Sequence, residues 1–352
     1  MIKNLRKFWL IKLLLYPISV LYGLITELRN ISYDLQLFRV RKYGIPVISI
    51  GNIIAGGSGK TPFTMLCIDL LKDKYPNMVI VSRGYGRESK GLSVVSDGQG
   101  TIQPPTLGGD EPVMIAMKYP QVPVIVSEMR SKGIEKAIET FTADLILLDD
   151  AFQHRSVFRN CDILIINGLR QLNAERLLPL GDLRERVISV KRADIIILNN
   201  SQNDPQLRNK NYLDRFYQGP LFECKFQPKR LVNSQLQKVD DIHVLDGKKV
   251  CIFSAIAVPE QFRNMMIEVG ADPVMAYVFP DHHYYSPSDL EEIGNGCRAL
   301  NCQYLITTEK DIVKVDPAVF ADLNFLAVGL EGMLNNSQTF VEKLNQFIDI
   351  KF

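Results

Sequence analysis

One segment limits what this chain can become: Ile50-Gly51-Asn52-Ile53-Ile54-Ala55-Gly56-Gly57-Ser58-Gly59-Lys60-Thr61. An apolar strand pattern at 47–50 ends where it begins, and a helical period at 61–72 follows. A glycine-rich turn between a strand and a helix N-terminus is the setting a phosphate loop requires. Gly56, Gly57 and Gly59 lack a Cβ, so backbone N–H groups can converge on phosphate oxygens. The positive end of the helix dipole favours the same anion. In this reading Ile54, Ala55, Gly56, Gly57, Ser58, Gly59, Lys60 and Thr61 form the nucleotide site. Lys60 meets the β- and γ-phosphates and the Thr61 hydroxyl ligates Mg2+. The usual spacing G-x-x-x-x-G-K-[ST] puts its first glycine at 54, but Ile54 stands there and Gly51 comes three residues early. The competing reading is a glycine-rich turn that merely starts a helix.

A second segment, Ala143-Asp144-Leu145-Ile146-Leu147-Leu148-Asp149-Asp150, is an apolar strand ending in two acids. A carboxylate at a strand's C-terminal end can hold the Mg2+ that Lys60 and Thr61 serve. Asp149 and Asp150 are the candidates. Without a phosphate loop upstream, an acidic pair here would read as a helix cap or a solvated turn.

Around these segments, short apolar runs alternate with helical periods. Strands are expected at 47–50, 78–82, 122–126, 145–148, 163–167 and 195–198, with helices at 61–72, 111–118 and 131–141 between them. Several runs are continuous in Val, Ile and Leu, as in a parallel sheet covered on both faces. The expected fold is α/β: a P-loop NTPase-like wound parallel sheet with a second, smaller α/β lobe and an N-terminal membrane-contacting helix. The division expected is a helix at 1–30, a nucleotide-binding core at 31–204, a connector able to carry a β-ribbon at 205–246, and the second lobe at 247–352. In that lobe strands are expected at 250–253, 274–279, 304–307 and 325–328.

Composition excludes several classes. With 352 residues, 46% hydrophobic and 23% charged, the chain matches ordinary globular proteins. Its 41 basic and 39 acidic residues balance to +2, which gives no sign of wholesale nucleic-acid binding. The six cysteines form no C-x-x-C, and four histidines leave little material for zinc. Reduced, buried thiols in a cytoplasmic setting are expected.

The N-terminus departs from this average. Lys3, Arg6, Lys7 and Lys12 precede an uncharged stretch of 14 residues from Leu13 to Thr26, flanked or interrupted by Trp9, Tyr16, Pro17 and Tyr22. The stretch is short of the roughly 20 residues of a spanning helix. Basic flanks and interfacial aromatics instead predict a helix lying in the headgroup region. A helix packed on its own domain is the alternative.

Further segments narrow the function. Ser82-Arg83-Gly84-Tyr85-Gly86-Arg87, Gly109-Asp110-Glu111-Pro112, Leu148-Asp149-Asp150-Ala151-Phe152-Gln153-His154, Phe279-Pro280-Asp281-His282-His283-Tyr284 and Thr307-Thr308-Glu309-Lys310-Asp311-Ile312-Val313-Lys314 occur in that order. Together with the shifted first glycine, they resemble the tetraacyldisaccharide 4′-kinase family over nearly the whole chain. The resemblance implies an ATP- and Mg2+-dependent transfer of the γ-phosphate to the 4′-hydroxyl of an acylated glucosamine disaccharide 1-phosphate. It further implies lipid A assembly by a peripheral or monotopic protein on the cytoplasmic face of the inner membrane.

The resemblance also implies roles. Asp110 looks like the family's general base and His282 like its partner, a dyad expected to assemble when the lobes close. Read without the family, Asp110 would be a helix cap and His282 a solvated loop residue. Glu111, Asp149, Asp150 and Gln153 are similar to positions around metal and phosphates, and His154 and Arg130 to positions near nucleotide or acceptor. Tyr85 and Arg87 suit sugar stacking and phosphate pairing in the acceptor cleft. Arg184 lies in a similar segment, although Asp182 stands where Pro or Arg is expected. Residues 308–314 read as a capping box with a helical charge pair and stay outside the site. Asn199 and Asn200 sit where related folds read adenine. Two other functions fit the same motifs: a membrane-recruited P-loop ATPase acting on a protein partner, and a soluble sugar or nucleoside kinase.

Overall fold

The computed structural model describes residues 9–199 and 205–351. Lys3, Arg6, Lys7 and Asn200 lie outside the described residues.

In chain order the elements are α1 (Trp9–Asp34), β1 (Val47–Gly51), α2 (Lys60–Leu71), β2 (Met78–Ser82), β3 (Ser93–Ser96), α3 (Pro105–Gly108), α4 (Asp110–Lys118), β4 (Val124–Val126) and α5 (Arg130–Phe141). There follow β5 (Leu145–Asp149), β6 (Cys161–Asn167), β7 (Ile195–Asn199), α6 (Pro205–Leu213), β8 (Leu221–Val232) and β9 (Lys238–Asp241). The remainder is β10 (Lys249–Ser254), α7 (Pro259–Glu268), β11 (Asp272–Val278), α8 (Pro287–Ala299), β12 (Tyr304–Thr308), α9 (Glu309–Ile312), β13 (Phe325–Leu334) and α10 (Ser337–Lys351). The mixed α/β class and its large parallel sheet agree with the sequence reading.

The chain forms two compact units, one of residues 1–76, 143–225 and 333–352, the other of 77–142 and 226–332. These cut across the contiguous blocks expected, because residues 77–142 group with the C-terminal half. The reason is electrostatic as well as apolar: α4 carries Asp110 and Lys118, whose partners are in 281–314. Lys118 Nζ, for example, is 3.2 Å from Glu309 Oε1.

In the first unit β5, β1, β6, β7 and the start of β8 pair in parallel in that order. All five residues of β1, β5 and β7 are buried, which explains their unbroken apolar runs. Phe63 of α2 meets Phe340 of α10 edge-on, centroids 5.8 Å apart. Beyond β1, Ile53, Ile54, Phe152, Leu164, Leu183 and Val190 share one apolar cluster that anchors the turns at the strand ends.

In the second unit β2 and β4 pair in parallel, with β3 antiparallel on β4. The strands β11, β10, β12 and β13 form a parallel set. Strands β8 and β9 pair antiparallel at Arg230↔Asp241.

Helix α1 runs through Pro17 for 26 residues. It is long and apolar enough to cross a membrane by length and composition, exceeding the 14-residue run from which a shorter segment was expected. Only Ser19, Gly23 and Asn30 along it are buried. Leu14 is 71% exposed and Leu21 57%.

Candidate functional site

The phosphate loop of the first unit has the backbone its glycines allow. Gly56, Gly57 and Gly59 have φ of 80°, 50° and 80°, and Gly59 is the left-handed N-cap of α2. A side chain at any of the three would strain the loop. Gly51 has another job. A Cβ there would lie 2.6 Å from Phe152 N, so this glycine lets the chain after β5 cross the end of β1. The early glycine therefore serves packing, and the anion-facing loop begins later.

Side-chain amides at the strand ends orient that loop. Asn167 Nδ2 donates to Gly57 O (3.0 Å) and Asn199 Nδ2 to Ser58 O (2.9 Å). C=O and N–H point opposite ways across a trans peptide. Pinning these carbonyls therefore turns the Ser58 and Gly59 N–H groups to the other side of the loop. Asn52 Nδ2 donates to Ser58 Oγ at 2.7 Å. Asn199 thus holds the loop from the strand end where related folds read adenine. Two loop residues are attachments as well: Ala55 N donates to Asp182 O (2.8 Å), and Ile54 is buried and bridges to Leu183. The Ala55 amide is therefore committed within the protein.

Charge collects beside the loop. Asp150, held at φ 48°, has its Oδ1 3.5 Å from Lys60 Nζ and 2.8 Å from Arg184 Nη1. Arg184 also reaches Gln153 Oε1 at 3.5 Å, while Gln153 Nε2 donates to Asn52 O at 2.9 Å. Asp149 is buried and accepts from Thr64 Oγ1 at 3.1 Å. Thr61 is buried at the start of α2. His154 belongs to the same turn, its carbonyl accepting from Arg159 Nη1 at 2.8 Å. The unexpected Asp182 pairs with Arg170 at 3.0 Å.

Helix α1 docks on this turn. Tyr22 Oη donates to Arg184 O (2.9 Å), Arg29 Nη2 to Gln153 O (3.2 Å) and Asn30 Nδ2 to Glu185 Oε2 (2.8 Å). Glu185 is buried and also accepts from Arg192 Nη1 at 2.7 Å. Burial pushes its pKa up, but the Arg192 charge and these hydrogen bonds outweigh it and hold the carboxyl below its ordinary value.

The second unit contains an acid–base centre. Gly109, at φ 87°, is the N-cap of α4, and Asp110 is the first helical residue. The Asp110 side chain does not cap the helix. Its Oδ1 accepts the adjacent Glu111 N–H, at 2.9 Å. Asp110 is 2% exposed, and His282 Nδ1 lies 3.0 and 2.9 Å from its two oxygens. Both residues are in the same compact unit, so the dyad requires no closure between units, contrary to expectation. Burial raises the Asp110 pKa, but the His282 hydrogen bond and the nearby Lys310 and Lys314 ammoniums outweigh it, and the net shift is down. Burial lowers the His282 pKa while Asp110 raises it, with a net upward shift.

Lysines complete this centre. Lys310 Nζ is 2.9 Å from Asp281, 3.5 Å from Glu111 and 3.7 Å from Asp110. Lys314 Nζ is 2.7 Å from Asp311 and 3.9 Å from Asp110. Glu111, expected near a metal, thus has an ammonium partner in its own unit. Tyr85 is exposed with its ring 4.9 Å from that of His282. Arg87 differs from expectation. Its guanidinium bonds Glu128 at 2.7 Å, Ser89 Oγ at 3.2 Å and the Gly91 carbonyl, which braces its own loop instead of offering charge to a cleft. Arg130 is fully buried and donates to Ser127 O at 2.6 Å, so it holds the turn into α5.

A family model described as "Tetraacyldisaccharide-1-P 4'-kinase" (LpxK) matches residues 11–349. The chain belongs to this kinase family. A "Tetraacyldisaccharide 4'-kinase" of Syntrophus aciditrophicus is 38% identical over 316 residues, 87% of this chain and 84% of that protein. One of Halothermothrix orenii is 33% identical over 359 residues, covering 96% and 93%. A crystal structure of Aquifex aeolicus LpxK in complex with ATP superposes with a TM-score of 0.79 at 31% identity, covering 96% of this chain and 99% of that one.

The sequence pattern does not reveal the residues that act on other residues. Lys310 and Lys314 were set aside because the capping pattern at 308–311 is real: Thr308 accepts from Asp311 N at 3.2 Å. That pattern explains Thr308 and leaves the lysines unaccounted for. Asn167 and Glu185 carried no sequence signal, since their partners are far away along the chain.

Proposed function

We propose that this LpxK-family kinase transfers the γ-phosphate of ATP to the 4′-hydroxyl of tetraacyldisaccharide 1-phosphate, with Asp110 as general base. The observation that carries this reading is a buried carboxylate kept ionised by a histidine and two lysines, in a chain that also has a phosphate loop. Asp110 accepts the hydroxyl proton as the sugar oxygen forms its bond to γ-phosphorus. The bond from γ-phosphorus to the bridging oxygen breaks, and ADP leaves with that electron pair. General base catalysis of this kind supplies about 10²–10⁴-fold.

His282 orients the base. On the nucleotide side, the N–H groups of Ser58 and Gly59 and the ammonium of Lys60 neutralise phosphate charge, and Arg184 adds a second cation. A Mg2+ ion fits the oxygen donors Thr61, Asp149 and Asp150, where it would offset charge on the phosphates. Among the described residues no group of three or more His, Cys, Asp or Glu could hold an ion alone. Mg2+ takes one or two carboxylates and completes its shell with phosphate oxygens and water.

The exposed apolar face of α1 supports contact with a membrane, and the proposed seat is the cytoplasmic face of the inner membrane, where the acceptor's acyl chains would lie. Labelled γ-phosphate tests the reading: it should appear in a chloroform-soluble disaccharide product. Release only as inorganic phosphate would favour an ATPase acting on a protein partner.

A further inference from the structure

We propose that Lys310 is a positioning residue that fixes the tautomer of His282, holding its ring neutral with the proton on Nδ1 so that it donates into Asp110. The inference rests on Asp110 being the base. Lys310 Nζ lies 3.2 Å from His282 Nε2. An ammonium has three donors and no acceptor, so this contact is a hydrogen bond only when Nε2 carries its lone pair. The ring proton then sits on Nδ1, within 3.0 Å of both Asp110 oxygens. A proton on Nε2 would face the ammonium head-on.

The ammonium cannot easily turn away. Asp281, Glu111 and Asp110 surround it within 3.7 Å, and these carboxylates together keep it charged. Thr308 caps the turn that carries it, bonding Asp311 Oδ2 at 2.7 Å. The ring is confined too. His282 has φ of 63°, the Tyr85 ring packs against it at a tilt with centroids 4.9 Å apart, and a Cβ on Gly86 would already be 3.5 Å from His282 Cβ.

The chemical consequence concerns the strength of the base. A neutral imidazole donating through Nδ1 orients the carboxylate without the full positive charge that would make it a weaker proton acceptor. The opposite tautomer would turn a lone pair toward the carboxylate and push the two groups apart. A wrong tautomer costs a histidine that is itself the base ~10⁴-fold in serine proteases. Here the histidine acts one step removed, and a loss of at least about tenfold is expected.

The test is nitrogen NMR of the full chain labelled at its histidines, at mildly alkaline pH, with His282 assigned from a His282→Gln variant. The expected spectrum has a protonated Nδ1 and a lone-pair Nε2. Lys310→Met should let His282 Nε2 take up a proton at a pH where the parent ring is neutral, and lower kcat at least about tenfold, with the KM for ATP held within about threefold. Lys310→Arg, also a pure donor, should restore the parent tautomer. A parent spectrum with the proton on Nε2 overturns the proposal whether or not any variant folds, and so does a Lys310→Met spectrum identical to the parent. If Asp110→Asn keeps full turnover while His282 keeps its Nδ1 proton, the base assignment fails and the tautomer assignment survives.

Discussion

Asp110 and His282 are 172 residues apart in the chain, and His282 Nδ1 lies 2.9 Å from Asp110 Oδ2. The histidine bond is the largest of the influences opposing burial at Asp110. Removing it leaves only the lysines against desolvation, so the Asp110 pKa should rise. A base must be deprotonated to work, so the acid limb of kcat should move to higher pH in His282→Ala. Initial rates across the acid range at saturating ATP check this. An unmoved limb would mean that His282 does not tune Asp110.

The asparagine anchors of the phosphate loop should act on nucleotide affinity. Each holds one loop carbonyl, and losing a buried hydrogen bond costs about 1–3 kcal/mol. Asn199→Ala and Asn167→Ala should each weaken ATP binding about 5- to 150-fold. Calorimetric titration with ATP measures it. The acceptor KM should stay nearly constant.

Glu185 should dominate the attachment of α1. Removing one partner of a buried ion pair costs about 3–5 kcal/mol, so Glu185→Gln should lower the unfolding free energy by that order. The folded carboxyl pKa lies below its ordinary value. Its stabilisation is therefore fully present above about pH 4.3, the unperturbed glutamate value, and is lost as pH falls through the folded value. Denaturant melts at neutral and acid pH should show the gap between parent and variant closing toward acid.

The free face of α1 should govern membrane contact alone. Leu14, Leu21 and Leu24 are 71%, 57% and 49% exposed, so their joint change to serine removes apolar area without disturbing the docked face at Ser19, Gly23 and Asn30. Sedimentation with anionic vesicles should fall at least about tenfold, and ATP binding should be unchanged.

The parts legible in the sequence were those with local causes. The phosphate loop, the acidic strand end and the alternating elements each follow from neighbouring residues. Asp110 and His282 were legible only through the resemblance, since one reads as a helix cap and the other as a loop residue. Lys310 stayed hidden for a related reason: the capping motif around it was correct and seemed sufficient. The contacts of Arg87 and Arg130 were illegible because an arginine's partner is set in three dimensions. Glu128 and the Ser127 carbonyl claim them here. The division into units was illegible because α4 takes its partners from residues about 170 to 200 positions later.

The most direct test is transfer of labelled γ-phosphate from ATP to purified disaccharide 1-phosphate by the parent chain and by Asp110→Asn. The account predicts a chloroform-soluble phosphorylated product from the parent, and a fall of about 10²–10⁴-fold in kcat for the variant with ATP affinity within about threefold. Product formation by Asp110→Asn within about threefold of the parent would contradict it.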